Sequence, residues 1–264
     1  MTAPSLADRL ALDDLGADRF RSTHPVEGPH VFGGLLLGQA LRAACCTVDD
    51  RPVRSVHASF LVAGAGGEPL ELTVERTRDG SSFCTRRVLV SQPHGPVLVL
   101  TADFHRPEGG VDYEVAPTPG VPGPDGLARG RYDNPWVESR DVPVGAVAGA
   151  PPHARHAWFR VTGALPDELA WHQQALAYLS DHGPTRAVRE PHAHLADDAR
   201  RQSVTLDHSV WFHRPARLEG WLLSELVPVA SGRGRGLATG ALRAADGTLL
   251  ATVAQEVLLR TRPA

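Results

Sequence analysis

The stretch "ALRAADGTLLATVAQEVLLR" (241–260) alternates as a β-strand does after the Asp246-Gly247 turn, and one of its faces reads Leu249, Ala251, Val253, Gln255, Val257, Leu259. An unpaired amide on such a face costs about 1–3 kcal/mol. Gln255 therefore needs a partner, and its amide can accept and donate at once. A second stretch, "TLDHSVWFHRP" (205–215), concentrates proton-handling side chains. Strict alternation puts Thr205, Asp207, Ser209, Trp211 and His213 on one face and Leu206, His208, Val210 and Phe212 on the other. Asp207, His208 and His213 are thus candidate acid–base or supporting groups. Gly33 and Gly34 open a helical stretch whose free N–H groups could meet an oxygen anion. Arg233 and Arg235 in "SGRGRG" (231–236) are two loop cations that fit no dinucleotide fingerprint. His192 and His194 in "PHAHLADD" lack a third ligand at fixed spacing, so no metal site is expected.

Several chemistries are excluded outright. No lysine occurs anywhere in the chain, which rules out a P-loop, a Schiff base or a Ser-x-x-Lys nucleophile. No G-x-S-x-G elbow is present either. Cys45, Cys46 and Cys84 form no CxxC pair and read as reduced packing residues. The net charge is −3, and the 27 basic residues are scattered instead of lying in runs, so nucleic acid is not an expected partner. No apolar run reaches the roughly 20 residues of a membrane span, and the start, "MTAPSLADRLALDDL", has no signal-peptide order. A cytoplasmic location is the expectation.

The elements that position these residues come in two copies. "VHASFLVAGAGGEPLELTVERTRDGSSFCTRRVLVSQPHGPVLVLTADFHRP" and "HSVWFHRPARLEGWLLSELVPVASGRGRGLATGALRAADGTLLATVAQEVLLR" share turn and aromatic landmarks. Phe60 matches Phe212 and Gly95 matches Gly247 without a gap, since 212 − 60 and 247 − 95 are both 152. Each copy reads as an antiparallel sheet. Ahead of each lies one apolar helical stretch, Gly33 to Cys46 and Asp167 to Ser180, which must be wrapped by other structure. The segment 108–150 between them is dense in proline and glycine, which deny it a regular ladder or helix. The expected class is α+β: a unit 1–107, a linker 108–150 and a unit 151–264, the two sheets joining edge to edge.

Six motifs in order then identify the pattern: "HVFGGLLLGQAL" (30–41), "ERTRDGSSFCTRRV" (75–88), "LPDEL" with "LAYLSD" (165–169, 176–181), "TLDHSVWFHRP" (205–215), "RGLATG" (235–240) and "DGTLLATVAQE" (246–256). The chain resembles the double-hotdog acyl-CoA thioesterases of the thioesterase II type. That resemblance implies hydrolysis of acyl-CoA to free acid and CoA with no covalent acyl-enzyme and no cofactor. It implies a water held by an Asp, a Thr or Ser, and a Gln, which fall on Asp181, Thr205 and Gln255. It further implies a homo-oligomer. Read from the residues themselves, Gly33 and Gly34 are expected to meet a substrate carbonyl or phosphate, Arg233 and Arg235 the CoA phosphates, and His208 and His213 to support substrate binding. A carrier-protein thioester shares the pantetheine arm and remains an alternative substrate.

Physical chemistry bears on these roles. Asp181 falls at the end of its helical stretch, where the dipole and free carbonyls disfavour an anion. Such a site raises a carboxyl pKa towards the operating pH of a general base. The competing account is a turn formed by Asp181 with His182-Gly183-Pro184. Two rival functions carry their own signatures. A hotdog hydratase needs a paired His and carboxylate, which Asp207 and His208 offer only on opposite faces. A silent acyl-binding protein would not fill all three site positions. Departures are also visible: "DHGPTRAVREPHAHLADDAR" (181–200) is short and polar where relatives carry an apolar run that shapes the acyl pocket, and "FLVAGAGG" lacks the Arg-Pro that "FHRP" keeps. The N-terminal copy therefore reads as scaffold and pocket wall.

Overall fold

The computed structural model describes residues 4–23, 28–194 and 201–261. Helix α1 (Leu6–Leu10) is closed by a capping box in which the Ser5 and Asp8 side chains each accept from the other's backbone N–H. Strands β1 (Leu12–Gly16) and β2 (Arg19–Ser22) follow, then helix α2 (Gly33–Cys45). The first large sheet block is β3 (Val53–Phe60), β4 (Glu71–Asp79), β5 (Phe83–Gln92) and β6 (Gly95–His105). The second half opens with β7 (Val137–Asp141) and β8 (Arg155–Val161), then helices α3 (Leu169–Ser180) and α4 (Pro184–Arg189). It closes with β9 (Arg201–Phe212), β10 (Leu222–Gly232), β11 (Arg235–Ala244) and β12 (Leu249–Thr261).

All twelve strands of the described residues form one antiparallel sheet in the order β1-β2-β4-β5-β6-β3-β9-β12-β11-β10-β8-β7. The expected edge-to-edge join is the β3–β9 pair, where Val56 faces Val210 and His57 faces Ser209. Each strand in the block alternates because one face meets the helices: β5 buries Cys84, Arg86, Val88 and Val90 and leaves Arg87 and Leu89 exposed. Two expectations need correction. The proline-rich segment does form a ladder, since β7 pairs with β8 along Val137–Asp141; the alternation Val137, Ser139 buried against Glu138, Arg140 outward supplies an edge strand in spite of the flanking prolines. The repeat is also not gap-free. The Val56–Ala102 pair of β3 and β6 occupies the position of the His208–Gln255 pair of β9 and β12, a slip of one residue in the last strand.

Helices α2 and α3 lie antiparallel inside the sheet. A Cβ on Gly34 would lie 2.4 Å from the Tyr178 carbonyl oxygen, and one on Gly38 would lie 3.3 Å from that of Gln174. Gly34 and Gly38 thus serve close helix-on-helix packing, while Gly33 leaves room for the Asp181 carboxylate and the Phe60 ring of β3. The consequence for the site is direct: the N-terminus of α2 abuts the C-terminus of α3.

Candidate active site

Asp181 is the C-cap residue of α3 and is 8% exposed. Its own helix disfavours the anion, but the facing N-terminus of α2 partly compensates, with the Gly34 N–H donating to the carboxylate. Burial pushes the Asp181 carboxyl up to about 7, against the opposing pull of the Gly34 N–H, the Thr205 hydroxyl and the Gln255 amide. Behind it, Gly183 takes φ +112°, a left-handed conformation that turns the chain into α4 with Pro184 in its first turn. His182 is buried in an aromatic cage, stacked on Phe32 at 4.6 Å between centroids and flanked by Tyr132, Phe159 and Tyr178. Burial pushes its pKa down to about 3, so the cage holds a neutral ring that anchors the residue beside Asp181.

Thr205 reaches Asp181 by a backbone irregularity. Between Glu256 and Val257 the β9–β12 pairing slips, Glu256 facing Asp207 and Val257 facing Thr205, so that Leu206 is an extra residue. This β-bulge moves Thr205 off the Asp207 face, where strict alternation places it, and onto the face of His208. The Thr205 hydroxyl donates to Asp181 Oδ1 at 3.4 Å and accepts from Gln255 Nε2 at 2.9 Å. Gln255 also donates to Thr185 Oγ1 at 3.3 Å, and its Oε1 lies 2.6 Å from His208 Nδ1. The amide on the apolar face is fully partnered and fully buried.

Asp181, Thr205 and Thr185 open onto a cavity of about 1120 Å³. One wall is apolar, with Val31, Phe32, Leu36, Phe60, Leu61 and Val62; the other is the polar face of α4 and its continuation, with Thr185, Arg186, Arg189 and Glu190. The divergent segment thus builds one side of the cavity, although residues 195–200 lie outside the described residues. Gly33 lines the cavity at the start of α2.

Other expected site residues sit elsewhere. His208 is fully buried behind Gln255 and touches no cavity space. His213 lies past the end of β9, where its Nε2 meets Thr252 Oγ1 at 2.8 Å, away from the cavity wall. Arg233 belongs to the β10–β11 hairpin with φ +51°, and Arg235 pairs with Glu256 at 3.7 Å on the outer face; neither lines the cavity. Strand alternation explains the last point, because Gly236 next to Arg235 takes the inward position against Val188. The arginines that do line the cavity are Arg131, Arg186 and Arg189, which no motif marked. Thr185 was also missed; its only signal was proximity to Asp181. Cys46 is exposed and so is no packing residue, whereas Cys84 is buried. Among the described residues no group of three or more His, Cys, Asp or Glu gathers as metal ligands, and no helix is long and apolar enough to cross a membrane.

Two central helices in one curled antiparallel sheet, with a buried carboxyl at a helix end, place the chain in the hotdog class, a fold it shares at TM-score 0.80 and 21% identity with a hot dog protein of Alicyclobacillus acidocaldarius. The models for the acyl-CoA thioesterase N-terminal and C-terminal domains match residues 20–105 and 107–259. The sequence is 31% identical to human acyl-coenzyme A thioesterase 8, over 96% of this chain and 88% of that protein. It is also 31% identical to acyl-CoA thioesterase 2 of Haemophilus influenzae, over 87% of each. The solved structure of acyl-CoA thioesterase II TesB2 from Mycobacterium marinum superposes with TM-score 0.86 at 34% identity, covering 97% of this chain and 96% of that one. The chain belongs to the acyl-CoA thioesterase family and is an enzyme of that activity.

Proposed function

We propose that the chain hydrolyses acyl-CoA by direct attack of a water held between Asp181 and Thr205. The observation that carries this reading is the buried Asp181 carboxyl, raised to about 7 and open to a large cavity. A base of that pKa is half-ionised near neutral pH and strong enough to take a proton from water as it attacks the thioester carbon. Its contribution is on the order of 10²- to 10⁴-fold. Gln255 holds the Thr205 and Thr185 hydroxyls in place, and the N-terminal end of α2 at Gly33 presents partial positive charge to the developing oxyanion. The tetrahedral adduct then collapses to the acid and the CoA thiol, with no bond to the protein. Arg131 and Arg186 replace Arg233 and Arg235 as the cations that meet substrate phosphates. The enzyme works as a cytoplasmic homo-oligomer in this reading, with residues 151–264 supplying the reacting groups.

The test is thiol release from a panel of acyl-CoAs, short to long and linear to branched, by the wild type, Asp181→Asn and Gln255→Ala. Turnover by the wild type with loss of at least 10²-fold in folded Asp181→Asn is the expected result. Turnover by Asp181→Asn at the wild-type rate overturns the assignment of the base.

A further inference from the structure

His208 is placed where the substrate never reaches, yet both ring nitrogens are engaged. Nδ1 lies 2.6 Å from Gln255 Oε1 and Nε2 lies 2.7 Å from Ser180 Oγ, and Ser180 directly precedes Asp181. The hydrogen bonds therefore close a ring through Ser180, His208, Gln255, Thr205 and Asp181. A carbonyl oxygen only accepts, so the short contact to Oε1 requires the proton on Nδ1. In the neutral ring Nε2 then accepts, and the Ser180 hydroxyl must donate to it, in preference to the Ala177 carbonyl at 2.8 Å.

We infer that His208 is the positioning residue of the reaction: its Nδ1–H, on a ring held from the other side by Ser180, fixes the orientation of the Gln255 amide and through it the direction of the Thr205 hydroxyl. With Oε1 held by His208, the NH₂ group points at Thr205, which becomes an acceptor from Gln255 and keeps its own proton for Asp181. With the amide turned over, Oε1 would face Thr205 and Thr185 and draw their protons away from Asp181. The tautomer of a buried ring thus decides which way the site's hydroxyl points. Burial pushes the His208 pKa down to about 4, so the ring stays neutral throughout the working range.

The duplicated fold supplies an internal control. At the matching positions of the N-terminal half stand Val56 for His208, Ala102 for Gln255 and Val53 for Thr205, with the same bulge between Val53 and Ser55. At these three positions the same architecture closes with apolar side chains, the neighbouring buried Arg86 turning instead to Thr47, and the ring of Ser, His, Gln and Thr exists only where the carboxyl does. Stability of the fold does not account for it.

The inference rests on the reading of Asp181 as base, and the experiment separates the two. Long-range ¹H–¹⁵N spectra of the wild type at neutral pH should give His208 protonated on Nδ1 and bare on Nε2; protonation on Nε2 overturns the proposal whatever the kinetics. His208→Leu should lower kcat by about 10²-fold, the loss typical of a misplaced group, with KM held within about two-fold. His208→Asn, whose NH₂ can take the place of Nδ1–H, should recover at least about tenfold of that loss. Equal kcat for His208→Leu and the wild type, or no recovery by His208→Asn in a folded protein, overturns it. Retained turnover in Asp181→Asn would instead strike the reading of the base, leaving the spectroscopic result to stand or fall alone.

Discussion

Asp181 joins function to instability. Its carboxyl titrates near 7 in the folded protein and near 3.8 when unfolded, so the folded state holds the proton more tightly. Stability conferred by the protonated form is complete below the unfolded value and is lost as pH rises through 7. Asp181→Asn, which keeps an acceptor for the Gly34 N–H, is therefore expected to be more stable than the wild type at pH 8 by on the order of 2–4 kcal/mol, with the difference vanishing at pH 4. Denaturant midpoints at the two values check it. The same titration governs turnover: kcat/KM should climb tenfold per unit below 7 and level off above it. A flat profile from pH 5 to 8 would assign the base elsewhere. His182 and His208 act with opposite sign, since burial depresses both; the stability they confer is present above 6.5 and lost as pH falls towards 4 and 3.

Two elements decide whether these residues meet. The bulge at Leu206 turns Thr205 inward, and the α2–α3 contact brings a helix N-terminus to the carboxyl. The contact depends on absent side chains. Gly34→Ala would set a Cβ at 2.4 Å from the Tyr178 carbonyl and 2.5 Å from the Phe32 ring. Because the nearer obstacle is backbone, the helices must separate, and a loss of about 1–3 kcal/mol is expected together with a weakened N–H bond to Asp181. Gly109→Ala, with nothing within 4 Å, serves as the control. Thermal melts and the pH profile of each variant measure both effects; unchanged stability in Gly34→Ala would show that the contact is slack.

Across the whole molecule the two halves share one sheet and one core. The pseudo-two-fold relation exchanges His57 and Ser209, equivalent residues 152 apart that face each other across the seam and hydrogen-bond at 2.9 Å, so its axis passes between them. A second centre is closed off by this chain's own residues. Arg86 faces Ala102, the counterpart of Gln255, and its buried guanidinium donates to Thr47 Oγ1 at 2.9 Å just beyond α2, while Cys46 stands as C-cap where α3 has Asp181. The β3–β9 seam and the packed helices cross the boundary between the halves. Calorimetry should therefore record one cooperative transition; two resolved transitions would mean that the seam is weaker than its buried Val56 and Val210 imply.

Much of this was legible in the chain itself. Period-two alternation reports which strand face is apolar, Gly-containing turns punctuate the strands, and a glutamine on an apolar face announces a partner, because each of these depends on neighbours in sequence. Ordered motifs carried Asp181, Thr205 and Gln255 to one family, which the comparisons bear out for the fold and the activity. Their meeting in space was not legible. A bulge is a property of two paired strands, and alternation read along one of them put Thr205 on the wrong face. The cavity arginines, Thr185 and the ring through His208 join segments far apart in sequence, and Arg233, Arg235 and His213 fell away because hairpin and strand geometry aim them outward. Local pattern determines what each element is; which side chains share a buried space is decided only when the elements pack.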